Sequence, residues 1–125
     1  MLDTSAVIAT LAGEPEAARF AQIIAVDGQG LLSATTFVEC AIVSSARPAV
    51  RAALEPWMTA NGITIVAVDE SLARDAIGAF ERFGKGRHPA GLNFGDCFAY
   101  ALAKSHDAPL LFKGDDFSKT DIKAG

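Results

Sequence analysis

Helical and strand-like patterns of apolar residues alternate along this chain. Six segments carry apolar residues at helical spacing and predict helices: 5–11, 15–26, 36–46, 49–60, 72–83 and 94–105. Three short apolar or β-branched runs predict buried strands, at 31–34, 63–68 and 110–112, and residues 1–4 predict the end of another. Such an alternation is typical of an α/β fold with three layers, in which helices cover both faces of a central parallel sheet.

Capping and breaking residues mark several helix boundaries. Asp69 and Ser71 are candidate N-caps for the helix at 72–83, and the helix at 94–105 begins just after Asn93. Pro56 lies inside the segment 49–60, where it predicts a kink or a boundary.

Length and composition fit one globular domain over residues 1–125. Half of the 125 residues are hydrophobic, which excludes a disordered chain, and the length excludes a two-domain enzyme. No apolar run is long enough for a transmembrane helix, and the start lacks the basic and apolar regions of a signal peptide, so we expect a cytoplasmic protein. Cys40 and Cys97 form no disulfide framework, and we expect both to be buried helix residues.

The net charge of −4 disfavours loose, charge-driven binding to DNA. It does not exclude a nuclease, because an enzyme that gathers carboxylates around a metal ion is acidic until the metal is counted.

Acidic residues recur where predicted strands end or where the following helices begin. Asp3 follows the first strand, and Asp115 and Asp116 follow the last one. Glu39 and Asp96 lie in the first turns of predicted helices. Ligands of parallel sheets bind beyond the carboxyl ends of the strands, so we expect these acids to converge on one cleft. Carboxylates that lie close together repel unless a divalent cation such as Mg²⁺, which prefers oxygen ligands, lies among them.

Each acid also has a purely structural explanation. These explanations are an N-cap at Asp3, a capping box from Thr36 to Glu39, a cap at Asn93 with Asp96 in the first turn, and a surface turn at Asp115-Asp116. Glu39 and Asp96 are nevertheless embedded in apolar helices, where a carboxylate needs a partner.

Four segments together resemble the PIN-domain ribonucleases and, more narrowly, the VapC toxins of bacterial type II toxin–antitoxin systems. They are Asp3 to Ala6 (DTSA), Glu39-Cys40, Leu92 to Ala101 (LNFGDCFAYA) and Leu111 to Phe117 (LFKGDDF). The resemblance implies a PIN-like fold and an Mg²⁺-dependent endoribonuclease, with Mn²⁺ as a substitute, that cuts transfer or ribosomal RNA and so inhibits translation. It also implies a homodimer and a cognate VapB antitoxin that often inserts an arginine into the acidic cleft.

The resemblance assigns the acidic roles to Asp3, Glu39, Asp96 and a fourth residue. We favour Asp116 as the fourth acid, because it precedes Phe117 as in the family, with Asp115 adding a contact or taking the role itself. We expect Asp3, Asp96, Asp116 and Asp115 to serve the metal and Glu39 to orient or deprotonate the attacking water. The candidate substrate-binding residues are Thr4, Ser5, Lys85, Arg87 and Lys113.

Two other functions compete with this one. A phosphatase of the haloacid dehalogenase type is disfavoured, because Ser5 stands where that family has a second Asp. A PIN-like module that only binds a partner protein remains the alternative. His88 and His106 belong to no catalytic grouping. Five apolar residues fit either the core or an interface: Phe20, Trp57, Met58, Phe80 and Phe83.

Overall fold

Six helices and a parallel sheet make up the computed structural model, which describes residues 1–125. The helices are α1 (Thr4–Leu11), α2 (Ala17–Asp27), α3 (Ala34–Ser44), α4 (Pro48–Ala60), α5 (Glu70–Phe83) and α6 (Phe94–Ser105). Two strands, β1 (Leu31–Ser33) and β2 (Thr64–Val66), pair in parallel, and a short 3₁₀ turn spans Phe117–Lys119. All six predicted helices are therefore present.

The sheet continues beyond these two strands through single-residue pairings. The backbone N–H of Leu2 donates to the carbonyl of Leu31 at 2.9 Å, which joins the first residues to β1. Leu2 forms a parallel bridge with Leu111, and Leu110 forms another with Ala124. The first residues of the chain therefore lie in the middle of the sheet, between β1 and the segment around Leu111.

Two hydrophobic cores lie on opposite faces of this sheet. Leu110 belongs to the core beneath α5 and α6, whereas Leu111 belongs to the core beneath α1 to α4. Met1 and Leu2 divide in the same way. Successive residues of a strand point to opposite faces, so these neighbours identify the sheet as the middle layer. The predicted three-layer α/β fold is confirmed.

Helix α3 begins earlier than predicted because its N-cap is Ser33 rather than Thr36. The Ser33 hydroxyl accepts a hydrogen bond from the backbone N–H of Thr36 at 3.0 Å. The capping box proposed between Thr36 and Glu39 is therefore wrong. Glu39 lies in the middle of the helix, and its carboxylate has no capping role.

Pro56 does not end helix α4, which runs without interruption from Pro48 to Ala60. The proline is exposed, so its ring lies toward solvent. Cys40 and Cys97 are free and buried in helices, as predicted. None of the six helices has the length and apolar character of a membrane-spanning segment.

Candidate active site

Asp3 ends the central strand and also caps helix α1. Its backbone N–H donates to the carbonyl of Leu111 at 3.0 Å, which fixes the residue at the edge of the sheet. Oδ2 accepts hydrogen bonds from the N–H of Ser5 at 3.0 Å and from its hydroxyl at 2.5 Å. Oδ1 is buried and has no partner. Burial, reinforced by the charge of Glu39, raises the pKa of Asp3 despite the hydrogen bonds from Ser5.

The two hydroxyls that follow Asp3 both bind inside the site. Thr4 donates a short hydrogen bond to Oε1 of Glu39, which orients that carboxylate across the gap between α1 and α3. The Ser5 hydroxyl donates to Asp3 and accepts from the backbone N–H of Lys113 at 2.9 Å. Ser5 thus connects the first acid to the loop that carries the last two.

Glu39 lies directly against the first turn of α6. A Cβ atom added to Gly95 would overlap with both carboxylate oxygens of Glu39. Gly95 is therefore needed to give Glu39 its place beside Asp96. Gly95 is not among the predicted site residues, although a glycine in the first turn of a strongly patterned helix, one position before an acid, is a signal visible in the sequence.

Asp96 has a structural role as well as a place in the cleft. Its Oδ2 accepts from the backbone N–H of Asn93 at 3.0 Å, and the Asn93 side chain accepts from the N–H of Asp96 at 2.9 Å, which completes a capping box. Burial raises the pKa of Asp96 to about 7 against the hydrogen bond from Asn93, and the charges of Asp3, Glu39 and Asp116 add to the rise. Asp96 is consequently close enough to the other three acids for their charges to affect it.

Asp115 and Asp116 are both exposed, in the turn before the 3₁₀ segment. Asp116 precedes that segment, but its side chain makes no capping hydrogen bond. It is also the member of the pair whose charge contributes to the raised pKa of Asp96. The charge of Asp116 on Asp96 supports Asp116 as the fourth acid, and the choice between the two stays a prediction.

Comparison with known proteins now identifies the family. The profile of the PIN domain matches residues 1–123. This chain is a PIN-domain protein of the VapC family. It is 46% identical over 125 residues to "Ribonuclease VapC30" of Mycobacterium tuberculosis (strain ATCC 25618 / H37Rv). The aligned region covers 98% of this chain and 95% of the relative. It is 45% identical over 127 residues to "Ribonuclease VapC" of Mycolicibacterium smegmatis, covering 99% and 98% of the two chains. "Ribonuclease VapC28" of Mycobacterium tuberculosis is 43% identical over 126 residues, covering 98% and 95%.

The three basic residues of this PIN domain that were predicted to bind RNA form no ion pair with the acids of the cleft. Lys113 follows the last strand segment, but its ammonium contacts Glu14 at 2.5 Å and Glu16 at 3.5 Å. Lys85 and Arg87 are exposed in the loop after α5, and the Arg87 guanidinium lies 5.3 Å from the centre of the Phe80 ring. Their predicted contacts with RNA phosphates stay predictions.

The two histidines of the PIN domain have local structural partners. His88 Nδ1 accepts from the backbone N–H of Ala90 at 3.0 Å, and its ring lies edge-on to Phe83 with centres 5.0 Å apart. His106 Nδ1 lies 3.1 Å from the carbonyl of Leu102. Neither contact involves an acid of the cleft.

The donor set of the PIN domain fits a hard divalent cation. No three His, Cys, Asp or Glu side chains are grouped closely enough to form a set of metal ligands as the side chains stand. The unpaired, buried Oδ1 of Asp3 and the capping box that uses Oδ2 of Asp96 nevertheless leave one oxygen of each acid for a ligand. Carboxylate oxygens of this kind, supplied by a few residues, are what Mg²⁺ takes from a protein.

Proposed function

We propose that this chain is a metal-dependent endoribonuclease toxin that hydrolyses phosphodiester bonds of RNA. The observation that carries the proposal is the buried Oδ1 of Asp3, which has no hydrogen-bond partner and feels the charge of Glu39. Nearby, the charges of Asp3, Glu39 and Asp116 all act on Asp96. A buried carboxylate oxygen without a partner is costly, and a cation bound there removes the cost. The ribonuclease names of the relatives support the same activity.

The ligands of the metal would be Asp3, Asp96 and Asp116, with Asp115 as an additional contact. When bound, Mg²⁺ supplies polarisation of the phosphodiester and stabilisation of the leaving oxygen. Asp3 and Asp96 are held for this task by backbone N–H donors, at Ser5 and Asn93 respectively. Neither acid requires a flexible loop to find its position, because both cap helices.

Glu39 is the residue that prepares the attacking water. The Thr4 hydroxyl binds Oε1, and Gly95 leaves room for both oxygens beside Asp96. In the proposed reaction Glu39 accepts a proton from water while the water oxygen attacks phosphorus in line. The bond from phosphorus to the 3′ oxygen breaks, and that oxygen takes up a proton. The products are a 5′-phosphate and a 3′-hydroxyl.

The partners proposed are a VapB-type antitoxin, a second copy of the chain and a transfer or ribosomal RNA whose cleavage inhibits translation. The VapC names of the relatives support the antitoxin. An arginine from such a partner fits the cleft chemically, because a guanidinium pairs with a carboxylate through two hydrogen bonds. The unpaired acids of the cleft supply the acceptors.

Cleavage of small RNA by the purified chain, freed of any antitoxin, tests this function. We expect cutting with Mg²⁺ or Mn²⁺, none with EDTA and none from an Asp96→Asn variant that still folds. Fragment ends should carry 5′-phosphate and 3′-hydroxyl groups, and a 2′,3′-cyclic phosphate would contradict the water mechanism. A folded chain that cuts no RNA with either metal and binds neither by calorimetry would support the module that only binds a partner.

A further inference from the structure

Asp116 is held differently from the other aspartates of the cleft. Asp3 and Asp96 accept hydrogen bonds from backbone N–H groups, whereas Asp116 is exposed and its side chain makes no capping hydrogen bond. Gly114, two positions earlier, has a φ of +99°, and a Cβ added there would meet nothing within 4 Å. The position of Asp116 relative to the other acids therefore depends on how the two ends of its turn are fastened.

The end of the turn that follows Asp116 is fastened by packing. Phe117 is buried, and the centre of its ring lies 5.2 Å from that of Phe112. The backbone N–H of Lys119 donates to the carbonyl of Asp116 at 3.3 Å, but this bond lies within the turn. Packing in the core thus holds one end of the turn and leaves the other to a different contact.

Lys113 fastens the end of the turn that precedes Asp116, through two separate contacts. Its backbone N–H donates to the Ser5 hydroxyl at 2.9 Å. Its ammonium lies 2.5 Å from Oε1 of Glu14 and 3.5 Å from Oε2 of Glu16. These three charged side chains are only 30% to 38% exposed, so water screens them less than it screens a fully exposed ion pair.

The two glutamates lie in the short connection between α1 and α2, and hydrogen bonds order the backbone of this connection. The N–H of Glu14 donates to the carbonyl of Ala9 at 3.0 Å, and the N–H of Ala17 donates to the carbonyl of Glu14 at 2.8 Å. Helix α1 itself begins directly after Asp3. The side chain of Lys113 therefore ties the turn of the last acids to the helix that starts at the first acid.

We infer that Lys113 is a positioning residue, whose ion pairs hold the turn so that Asp116 reaches a cation bound at the other acids of the cleft. The inference rests on the proposed function, because it needs the metal site. It gives the ammonium a role other than the predicted contact with an RNA phosphate. Residues that orient a metal ligand without touching the metal typically contribute about 10- to 100-fold to metal affinity.

The sign of the effect on metal affinity separates positioning from charge. Lys113→Met removes the ammonium and keeps an unbranched side chain. By charge alone, the loss of a positive charge should make a cation bind more tightly. If Lys113 positions Asp116, the variant should instead bind Mn²⁺ more weakly, by roughly ten-fold. Calorimetric titration of the folded chain with Mn²⁺, without RNA, measures this affinity.

Three further variants serve as controls. Lys119→Met should not weaken Mn²⁺ binding, since Lys119 is also three residues from Asp116 but is exposed and forms no ion pair. Lys113→Arg keeps the charge and the donors for both glutamates, so it should retain the parental affinity. Lys113→Glu combined with Glu14→Lys should bind Mn²⁺ more tightly than Lys113→Glu alone, because it re-forms an ion pair at the parental net charge.

RNA cleavage by Lys113→Met gives a second readout. Weaker metal binding should lower the rate at limiting Mn²⁺, and excess Mn²⁺ should restore it, while KM for RNA stays unchanged. A lost contact with an RNA phosphate would behave in the opposite way, because KM would rise at every Mn²⁺ concentration.

Four results would overturn the inference. They are Mn²⁺ binding by Lys113→Met at least as tight as that of the parent, equal weakening by Lys119→Met, no gain from adding Glu14→Lys to Lys113→Glu, and a raised KM for RNA at unchanged Mn²⁺ affinity. If the parent chain binds Mn²⁺ and cuts RNA in these experiments, only this inference fails. A parent chain that binds no Mn²⁺ and cuts no RNA removes the proposed function as well.

Discussion

The carboxylate of Asp121 and those of the acidic cleft differ in the charges that surround them. Asp121, near the chain end, accepts a short hydrogen bond from the Tyr100 hydroxyl and lies 3.4 Å from Arg82 and 3.3 Å from Lys104. These partners, the Tyr100 hydroxyl foremost, lower its pKa. Asp96 has acids instead of cations around it, and burial raises its pKa to about 7. Cations of the chain balance the negative charge of Asp121, whereas no cation of the chain balances the charge of Asp96.

The comparison shows which carboxylates serve the fold and which are left for a ligand. Asp121 fastens the last residues to α5 and α6 through Arg82, Tyr100 and Lys104. Asp3 and Asp96 in the cleft also accept hydrogen bonds from backbone N–H groups, but no cation of the chain neutralises their charges. Raised pKa values in a cluster of acids are a typical feature of functional sites. Four experiments test whether the two kinds of carboxylate differ in this way.

The largest effect is expected from Glu39→Gln. The amide keeps an oxygen for the Thr4 hydroxyl, so the side chain stays in place, but it no longer accepts a proton from water. We expect RNA cleavage to fall by about 10² to 10⁴-fold, measured as initial rate with Mg²⁺. Glu81→Gln, at an exposed acid on α5, is the control and should cut normally. Equal rates in the two variants would show that Glu39 is not the base.

Gly95→Ala should disable the cleft without removing any acid. The added Cβ overlaps with the carboxylate of Glu39, which must move. A displacement of this size costs on the order of 10²-fold in rate. Gly78→Ala is a matched control, since Gly78 is also helical and a Cβ there meets nothing within 4 Å. The control should raise the free energy of unfolding by about 0.5–1 kcal/mol and leave cleavage intact. Normal cleavage by the Gly95→Ala variant would show that the reaction does not need Glu39 in this position beside Asp96.

In protein kept free of metal by EDTA, the contributions of Asp96 and Asp121 to the free energy of unfolding should change with pH in opposite directions. The pKa of Asp96 is about 7 in the folded chain and 3.8 as its ordinary value, so between these the folded state holds a proton that the unfolded state has lost. The free energy of unfolding contributed by Asp96 therefore falls as pH rises from 4 to 7. Asp121 has a lowered pKa, so its contribution is present above pH 4 and is lost as pH falls further.

Urea denaturation across this pH range measures the difference. Asp96→Asn should flatten the decline between pH 4 and 7, and Asp121→Asn should flatten the loss on the acid side. If neither variant changes the profile, the contrast in pKa values is not expressed in stability.

The smallest effect is expected from Tyr100→Phe. The change removes the hydroxyl that binds Asp121 while the ring stays in the core. Loss of one hydrogen bond, partly replaced by the neighbouring cations, should lower the free energy of unfolding by about 1 kcal/mol. Thermal melting measures it, and RNA cleavage should not change. A large loss of cleavage would mean that the two groups are coupled through α6.

Helix α6 shows how much of the fold the sequence could predict. Its bounds, 94–105, are predicted correctly because Asn93 and Asp96 supply a complete local signal, the capping box. The predicted start of α3, at Thr36, is too late. Ser33 and Thr36 can both act as N-caps, and the position where β1 ends decides which of them does so. Pro56 is compatible with a continuous helix where it faces solvent, and a linear pattern does not show which face that is.

The convergence of the acids was predictable, but their contacts were not. The end of the first strand and the first turn of α6 place Asp3 and Asp96 at one end of the sheet. Glu39 was predicted in a first helical turn but reaches the site from the middle of α3. The hydrogen bond from Thr4 to Glu39 and the close approach of Gly95 both join segments far apart in the chain. Such contacts depend on how the helices pack, which spacing along the chain does not determine.

The pairing of Leu2 with Leu111 has a consequence for synthesis. The ribosome makes the strand that ends at Asp3 before the six helices and its neighbour around Leu111 after them. A nascent chain therefore contains all six helices before the backbone that holds Asp3 is available. We expect the acidic cleft to assemble only after the segment around Leu111 has been made, so that shorter nascent chains have no nuclease site. Pairing between such distant segments also closes a long loop, which slows folding.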